Sequence, residues 1–338
     1  MSRHNPGDTL REPPHAVLQQ AAQWYARLRD GTASTRVRAD WTAWLDAADD
    51  HRTAWQYVED IGRGFEPLLE VPNPRQAAHG VCAANDRLRM RRRALAGVAA
   101  LAGGGVLGWF GWRDHALPGS LMAWSADVRT GVGEQRRIVL ADGSRLWLNT
   151  ASAIDIRFDA RQRCIRLVRG EILIETASDG SRPFLVDSAH GRMRALGTRF
   201  NVLMEDGATR LAVFGGAVEI RTAGSDATYV AAAGRQAHFT RDGITPGGPA
   251  ELAREAWTRG TLVADNVPLR DIIRELGRYR HGHLGVADSI ADLKVYGNFP
   301  VQDTDRVLRM LAAVLPVRVE QTMPWWTSIE PARTAPKK

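Results

Sequence analysis

The sequence contains very little lysine and cysteine, and both shortages restrict the class of protein. Only three of its 45 basic residues are lysines (Lys294, Lys337 and Lys338), so arginine supplies nearly all of the basic charge behind the net +7. Apart from one cluster the arginines are spread along the chain, and no broad basic stripe marks a nucleic-acid surface. Cys82 and Cys164 belong to no Cys/His group of the kind that holds structural zinc. We therefore expect no direct nucleic-acid binding, no metal and no cofactor.

Long hydrophobic runs are also absent, with one exception. Residues 94–112 are 19 residues without a charge, in a chain of which 25% is charged. As a helix this run would measure roughly 28 Å, close to the ~30 Å hydrocarbon core of a bilayer. Five arginines precede it directly: Arg87, Arg89, Arg91, Arg92 and Arg93. Because basic residues mark the cytoplasmic side, the pattern predicts a single transmembrane helix with a cytoplasmic N-terminus. The alternative is a buried helix of a large soluble domain.

The segment that precedes the uncharged run has the pattern of a small all-α domain, which we place at residues 1–86. Three amphipathic stretches follow one another between residues 14 and 70, with Gly31 ending the first and Ser34 or Asp49 available as caps. This short segment contains four tryptophans: Trp24, Trp41, Trp44 and Trp55. A domain of about 60 residues has little interior for four indoles. Two interpretations stay open: the indoles fill a three-helix core, or some of them anchor a partner.

Beyond the uncharged run the apolar residues recur at every second position. Pairs such as Ile154/Ile156 alternate with polar neighbours between about Val128 and Thr240, and turn signals such as Asp142-Gly143 separate them. This pattern predicts an all-β sandwich, roll or short solenoid at residues 125–241. Its hydroxyls, histidines and carboxylates show no spacing of a nucleophile and a base. We expect no catalytic residue and no enzymatic activity.

The last part of the chain has the pattern of a compact α+β module at residues 255–330. A Pro-Gly-Gly-Pro segment at residues 246–249 is predicted to be a linker. After it the order is β-α-β-β-α-β, with a first helix that carries Leu269, Ile272, Leu276 and Tyr279. A module of this size is typical of protein-docking domains. The predicted fold is therefore multidomain: an all-α three-helix domain, one transmembrane helix, an all-β sandwich or roll, and this module.

At this point several segments resemble one family, the FecR family of transmembrane anti-sigma regulators. Before the uncharged run they are Trp44-Leu45, His51-Arg52 and Ala54-Trp55. After it they are Glu134 to Asp142-Gly143-Ser144 and Trp147-Leu148-Asn149, Arg169-Gly170-Glu171, Arg182-Pro183-Phe184, Leu196-Gly197-Thr198-Arg199-Phe200-Asn201-Val202, Ala256-Trp257, Leu276 with Arg278-Tyr279, and Gly297-Asn298-Phe299. The segments occur in the family's order across nearly the whole chain.

The resemblance implies a role that the residues alone do not give. Family members hold an extracytoplasmic-function sigma factor in the cytoplasm and sense a TonB-dependent outer-membrane siderophore receptor through a secretin/TonB short-domain-like C-terminal module. We expect the chain to lie in the inner membrane of a Gram-negative bacterium, with its C-terminus in the periplasm and envelope proteases and membrane lipid as further partners. The expected sigma-binding residues are Trp24, Trp41, Trp44, Leu45, His51 and Trp55, and the expected receptor contacts are Leu269, Ile272, Leu276 and Tyr279.

A second interpretation belongs to another functional class. In it the chain is a structural protein of the cell envelope whose β domain binds peptidoglycan and whose N-terminal helices act only as an anchor. A sigma-factor gene beside this one would favour the regulator.

Overall fold

The computed structural model describes residues 13–29, 34–69 and 126–332. These residues form an N-terminal helical domain, a β domain and a C-terminal α+β module. The arginines of residues 87–93, the predicted span at residues 94–112 and Cys82 lie outside the described residues. Within the described ranges, no helix combines the length and the apolar character needed to cross a membrane.

The helical domain consists of three helices in the places that the sequence indicates. They are α1 (His15–Arg29), α2 (Thr35–Ala47) and α3 (Asp49–Leu69). The Ser34 side chain accepts a hydrogen bond from the Val37 backbone N–H, which satisfies one of the free donors at the start of α2. The small core joins α1 to α3 through Leu18, Ala21, Ala22, Ala54 and Val58, whereas α2 contains no buried residue.

The β domain contains thirteen strands, in agreement with the all-β prediction. They are β1 (Val128–Arg129), β2 (Arg136–Val139), β3 (Arg145–Leu148), β4 (Ala153–Phe158), β5 (Arg163–Glu175), β6 (Phe184–Asp187), β7 (Gly191–Ala195), β8 (Arg199–Glu205), β9 (Ala208–Gly215), β10 (Ala217–Thr222), β11 (Thr228–Ala232), β12 (Arg235–Phe239) and β13 (Ile244–Pro249). One sheet runs in the order β11-β10-β7-β6-β5-β8-β9-β12-β13, with β1 to β4 attached beside β5. Side chains from both halves of this sheet share one apolar core.

The long strand β5 belongs to both halves of the sheet. Residues 163–169 pair with β4 and β6, and residues 170–175 pair with β3 and β8. Gly170 lies at the change of partner with φ of +85°, and a Cβ atom there would stand 2.4 Å from the Ser152 Oγ. Only glycine fits such a backbone and such a close approach. The glycine of Arg169-Gly170-Glu171 is thus the point where β5 turns from one half to the other.

The prediction of a linker at residues 246–249 is wrong, because these residues belong to strand β13, which pairs with β12. Strand β13 lies at one end of the sheet. An edge strand tolerates proline because its outward N–H groups need no partner strand. The Pro-Gly-Gly-Pro sequence is therefore compatible with an edge strand, and composition alone does not separate that from a linker.

The C-terminal module has the predicted β-α-β-β-α-β order and one further strand. A 3₁₀ segment (Leu252–Arg259) precedes β14 (Thr261–Pro268), α4 (Leu269–Gly277), β15 (His283–Val286), β16 (Lys294–Pro300), α5 (Thr304–Val314), β17 (Val317–Met323) and β18 (Trp326–Pro331). Strands β14 and β16 form one small sheet, and β15-β18-β17 form the other. The additional strand β18 is the centre of the second sheet, parallel to β15 and antiparallel to β17.

Helices α1 and α3 lie on the outer face of the β15-β18-β17 sheet. The Trp326 indole N–H donates to the Gln19 side-chain oxygen at 2.9 Å, and Trp325 and Trp326 share a buried cluster with α1 and α3. If residues 94–112 span a membrane, as the sequence predicts, residues 1–86 and 255–330 lie on opposite sides of it and this contact does not form. Apolar faces bury each other wherever they share a compartment, since the hydrophobic effect is not directional. The apolar face of α1 and α3 and that of the β15-β18-β17 sheet therefore each need a partner that shields them from water.

Candidate functional site

The residues predicted to contact a receptor lie in the interior. Leu269, Ile272 and Leu276 are between 0% and 2% exposed and form part of the module's apolar core. Tyr279 is also buried, against the β domain rather than towards solvent. The apolar periodicity that identified these residues reports the core-facing side of α4. This prediction of a contact surface is therefore corrected: in this structure the four side chains are not accessible to a partner.

Polar residues of the segments that resemble the FecR family instead meet at one buried junction between the β domain and the module. At its centre lies the Glu171 carboxylate of β5. Asn149 and Asn201 donate side-chain hydrogen bonds to it at 2.8 and 2.9 Å. The Arg278 guanidinium, which follows α4, lies 2.7 Å from the same carboxylate and 2.6 Å from Glu275. The three donors come from the residue after β3, from β8 and from the module.

Further hydrogen bonds close this junction. Asn149 also donates to the Tyr279 hydroxyl at 2.8 Å. The Trp257 indole N–H reaches the Asn201 side-chain oxygen at 3.3 Å, and Gln135 donates to both the Asn149 side chain and the Trp257 backbone carbonyl at 2.9 Å. A buried polar network is stabilising only when its groups are satisfied, and these amides use both their N–H and their C=O groups.

The charges at the junction depend on each other. Burial by itself would raise the pKa of Glu171, but the Arg278 guanidinium and the amide donors hold it below its usual value. Burial would likewise lower the pKa of Arg278, and Glu171 and Glu275 raise it instead. Burial raises the pKa of Glu275. Burial and the negative charges of Glu275 and Glu171 raise the pKa of Tyr279. The ionised Glu171–Arg278 pair is therefore the form that the junction stabilises.

The chemistry of the junction is that of a structural contact between the β domain and the module, not that of a catalytic site. Its carboxylate is saturated with donors, and no nucleophile lies beside a base. Within residues 13–29, 34–69 and 126–332, no three His, Cys, Asp or Glu side chains are placed to hold a metal ion. Glu171 and Arg278 also line a cleft of about 820 Å³ between the β8–β9 hairpin and β14, so one side of the junction borders open space.

A second buried ion pair involves two other segments that resemble the FecR family, Asp142-Gly143-Ser144 and Arg182-Pro183-Phe184. Arg163 lies 2.8 Å from Asp142, and both side chains are almost completely buried. The Ser144 hydroxyl and backbone N–H donate to the same carboxylate, while the Arg163 guanidinium lies over the Phe184 ring. This pair connects the β2–β3 turn to β5 and β6. The pair lies inside the β domain, away from the helical domain and the C-terminal module, and it holds the strands of the β domain together.

The six residues predicted to bind a sigma factor are all half-buried. Trp44 stacks on His51 with ring centroids 4.4 Å apart, and the His51 Nδ1 lies 2.7 Å from the Trp44 backbone carbonyl. Trp41 and Trp55 pack on each other at 5.0 Å. Trp24 lies below the Arg27 guanidinium, and Leu45 shares the face of α2 that carries Trp41 and Trp44. The structure groups these side chains but does not bury any of them fully, so their binding role stays a prediction.

The described residues form a helical domain, an all-β domain and a compact α+β module. Residues 126–219 match the family model of the FecR protein, which confirms the resemblance to the FecR family. Residues 19–61 match a domain of unknown function, DUF4880. No curated protein sequence matches this chain.

Two solved structures share the fold. Both are of a candidate anti-sigma factor from Parabacteroides distasonis ATCC 8503, determined at 1.65 and 2.50 Å resolution. They are 20% identical to this chain, with TM-scores of 0.51 and 0.50, and the matches cover 61% of this chain and 98% of theirs. At this identity the likeness establishes the architecture alone.

The sequence alone does not reveal the junction, although residues that form it lie in the segments that resemble the FecR family. In the sequence Glu171 is one carboxylate on a strand with ordinary alternation. The overlooked signal is that Glu171 and Asn201 each stand beside large apolar residues in strands that are buried on both faces. A polar group at such a position needs a partner, and only the tertiary structure shows that Arg278 and Trp257 provide it.

Proposed function

We propose that this chain is a single-pass inner-membrane anti-sigma regulator. The observation that carries the proposal is the order of its parts: a DUF4880 helical domain before the uncharged run at residues 94–112, and a FecR domain after it. The two solved structures of similar fold, both candidate anti-sigma factors, support the same class.

In this proposal the output is the helical domain in the cytoplasm, which binds an extracytoplasmic-function sigma factor. Half-buried indoles on α2 and α3 support this assignment, because tryptophan is enriched among the residues that dominate protein interfaces. Helix α2 is well suited to contact a partner, since none of its residues is buried within the chain. Trp41, Trp44 and Leu45 lie on it, and His51 and Trp55 lie on the neighbouring turn of α3.

In this proposal the part of the chain that follows the uncharged run receives the signal. We propose that the β domain and the C-terminal module stand in the periplasm and meet the signalling domain of a TonB-dependent siderophore receptor. The buried Glu171–Arg278 junction supports the view that the two periplasmic parts respond as one unit. Envelope proteases that cut within or beside the membrane would then release the helical domain.

Membrane insertion has one direct consequence for this fold. With residues 94–112 in the bilayer, α1 and α3 lie in the cytoplasm and the β15-β18-β17 sheet lies in the periplasm. The contact between them is then absent, and two apolar faces are left for other proteins. The sigma-factor surface that we assign is a separate one, on α2 and the start of α3.

Reporter fusions test the topology. Alkaline phosphatase, which folds only in an oxidising compartment, should be active when fused after Gly119 and silent when fused after Glu70. A variant in which Arg89, Arg91 and Arg92 are changed to Glu is the matched test of orientation, because it removes the positive-inside signal. Activity from the Glu70 fusion, or silence from the Gly119 fusion, would contradict the regulator.

A further inference from the structure

We propose that the outer face of the β15-β18-β17 sheet docks an α-helix from another periplasmic protein. The face is defined by Trp326, Ser328 and Glu330 of β18, with His283 and Gly285 of β15 and Thr322 of β17. This inference rests on the proposed function, because membrane insertion is what uncovers the face. It goes further by naming a surface of the module and the kind of element that the surface accepts.

The face is distinct from the module's own core. Side chains alternate along β18, so Ile329 points to the core while Trp326, Ser328 and Glu330 point outward. Trp326 is 0% exposed, and its ring stacks on His283 with centroids 3.9 Å apart. Besides His283 and Trp325 of the module, the groups that contact it are Gln19 of α1 and Tyr57 of α3. Without those helices a large indole would lie on an open sheet.

Helix α1 shows what chemistry the face accepts. The residues of α1 that contact the sheet directly are His15 and Gln19. Gly285 permits the close approach of α1, because a Cβ atom there would lie 2.9 Å from the His15 ring. The geometry therefore fits a helix that lies close against the sheet at Gly285.

Polar groups around the apolar centre fix the register of such a helix. Gln19 accepts from the Trp326 indole and donates to the Thr322 hydroxyl at 3.0 Å. His15 lies 3.0 Å from the Glu330 carboxylate. The His283 Nε2 and the Ser328 hydroxyl are buried without a hydrogen-bond partner among the described residues. A better-fitting helix would supply a donor or an acceptor to these two groups, which α1 does not.

These features identify the occupant as an amphipathic helix with an amide at the position of Gln19. In a membrane-inserted chain the sequence of α1 itself is on the other side, so the occupant is a helix of a separate periplasmic protein. The interface would be held by two indoles and two or three polar contacts. Such a contact suits a reversible association better than a permanent one.

The test uses the full-length protein in lipid nanodiscs and a fluorescent peptide of residues 13–30 as the probe. Binding of the peptide is followed by fluorescence anisotropy. Ser328→Arg places a charged side chain on the face, and we expect it to weaken binding at least tenfold. Val314→Arg is the matched control, since Val314 is 78% exposed at the end of α5, on the module's other side; we expect less than a twofold change.

A disulfide trap separates this inference from the proposed function. Gln19→Cys and Thr322→Cys are introduced into a chain with Cys82→Ser and Cys164→Ser, and cross-linking is measured in intact membranes. No cross-link together with selective loss of peptide binding in Ser328→Arg supports both proposals. No cross-link, with Ser328→Arg and Val314→Arg binding alike, overturns the docking face and leaves the regulator standing. An efficient intramolecular cross-link shows both parts in one compartment, which overturns the topology and the external partner together.

Discussion

The C-terminal module makes two buried contacts whose chemistry differs. Its contact with the β domain is an ion pair and a set of amide hydrogen bonds around Glu171, with Arg278 as the module's main contribution. Its contact with the helices is aromatic, centred on Trp325 and Trp326, with single hydrogen bonds at the margin. The first contact joins segments that stay in one compartment in either topology. The second joins segments that a membrane would separate.

The difference indicates which contact is permanent. A buried carboxylate and guanidinium are costly to separate, because each leaves the other unpaired in a low-dielectric site. Aromatic surfaces carry no such penalty and can exchange one cover for another. We therefore regard the junction as a fixed connection and the sheet face as an exchangeable one.

Breaking the junction should be the most costly change. Glu171→Ala leaves the Arg278 guanidinium buried beside Glu275 alone, and we expect a loss of ~3–5 kcal/mol in the free energy of unfolding. Urea unfolding of a fragment of residues 126–332, followed by near-UV circular dichroism, measures it. Glu205→Ala is the control, because the Glu205–Arg210 pair is partly exposed and such pairs contribute about 1 kcal/mol or less. Equal losses would show that the ion pair does not fasten the module.

The aromatic surface of the helical domain should matter for binding more than for folding. We expect Trp44→Ala in a fragment of residues 1–86 to weaken sigma-factor binding at least tenfold, which is ~1.4 kcal/mol. Far-UV circular dichroism of the same variant should be unchanged, since Trp44 is only half-buried. A core role predicts instead that the helical signal is lost with binding, through a cavity that costs ~3–5 kcal/mol.

Acid should weaken the sheet-face contact. Burial, with a smaller effect of His15, lowers the pKa of His283 to about 4, whereas an uncovered imidazole titrates near ~6.5. The covered state therefore has its full stability above pH ~6.5 and loses it as the pH falls towards 4. The other titratable groups at this contact are His15, Tyr25, Tyr57, His281 and Glu330.

We expect the affinity of the residue 13–30 peptide for the module to fall on the order of tenfold between pH 7 and pH 5. The peptide should carry His15→Gln, so that His283 is the remaining buried imidazole at the sheet face. His283→Gln in the protein is the control, and it should make the affinity nearly independent of pH over this range. A pH dependence that survives in His283→Gln would assign the effect to another group.

The smallest expected effect concerns a single hydrogen bond. Gln19→Ala in the peptide removes the acceptor of the Trp326 indole N–H, and we expect a loss of ~1 kcal/mol, roughly fivefold in affinity. Gln23→Ala on the same helix is the matched control, because Gln23 is exposed. If both substitutions have the same effect, the peptide binds in a different register from α1.

Much of the fold could be predicted because its signals are local. The capping residue Ser34, the alternation along the β strands and the helical spacing of Leu269, Ile272 and Leu276 each report the backbone conformation nearby. Errors arose where one local signal fits two structures. The prolines of residues 246–249 suit both a linker and an edge strand, and the apolar stripe of α4 suits both a core and a docking surface. Burial decided between them, and burial is a property of the whole fold.

The sequence by itself determined the order and type of the parts: helices, an uncharged run, alternating strands, and a β-α-β-β-α-β module. These follow from periodicities that extend over a few residues. Only the tertiary structure decided which polar residues meet. Asn149 and Tyr279 are 130 positions apart, and Gln19 and Trp326 are 307 apart. No local pattern encodes such a pairing, because it depends on the sheet topology and on which faces share a compartment when the chain folds.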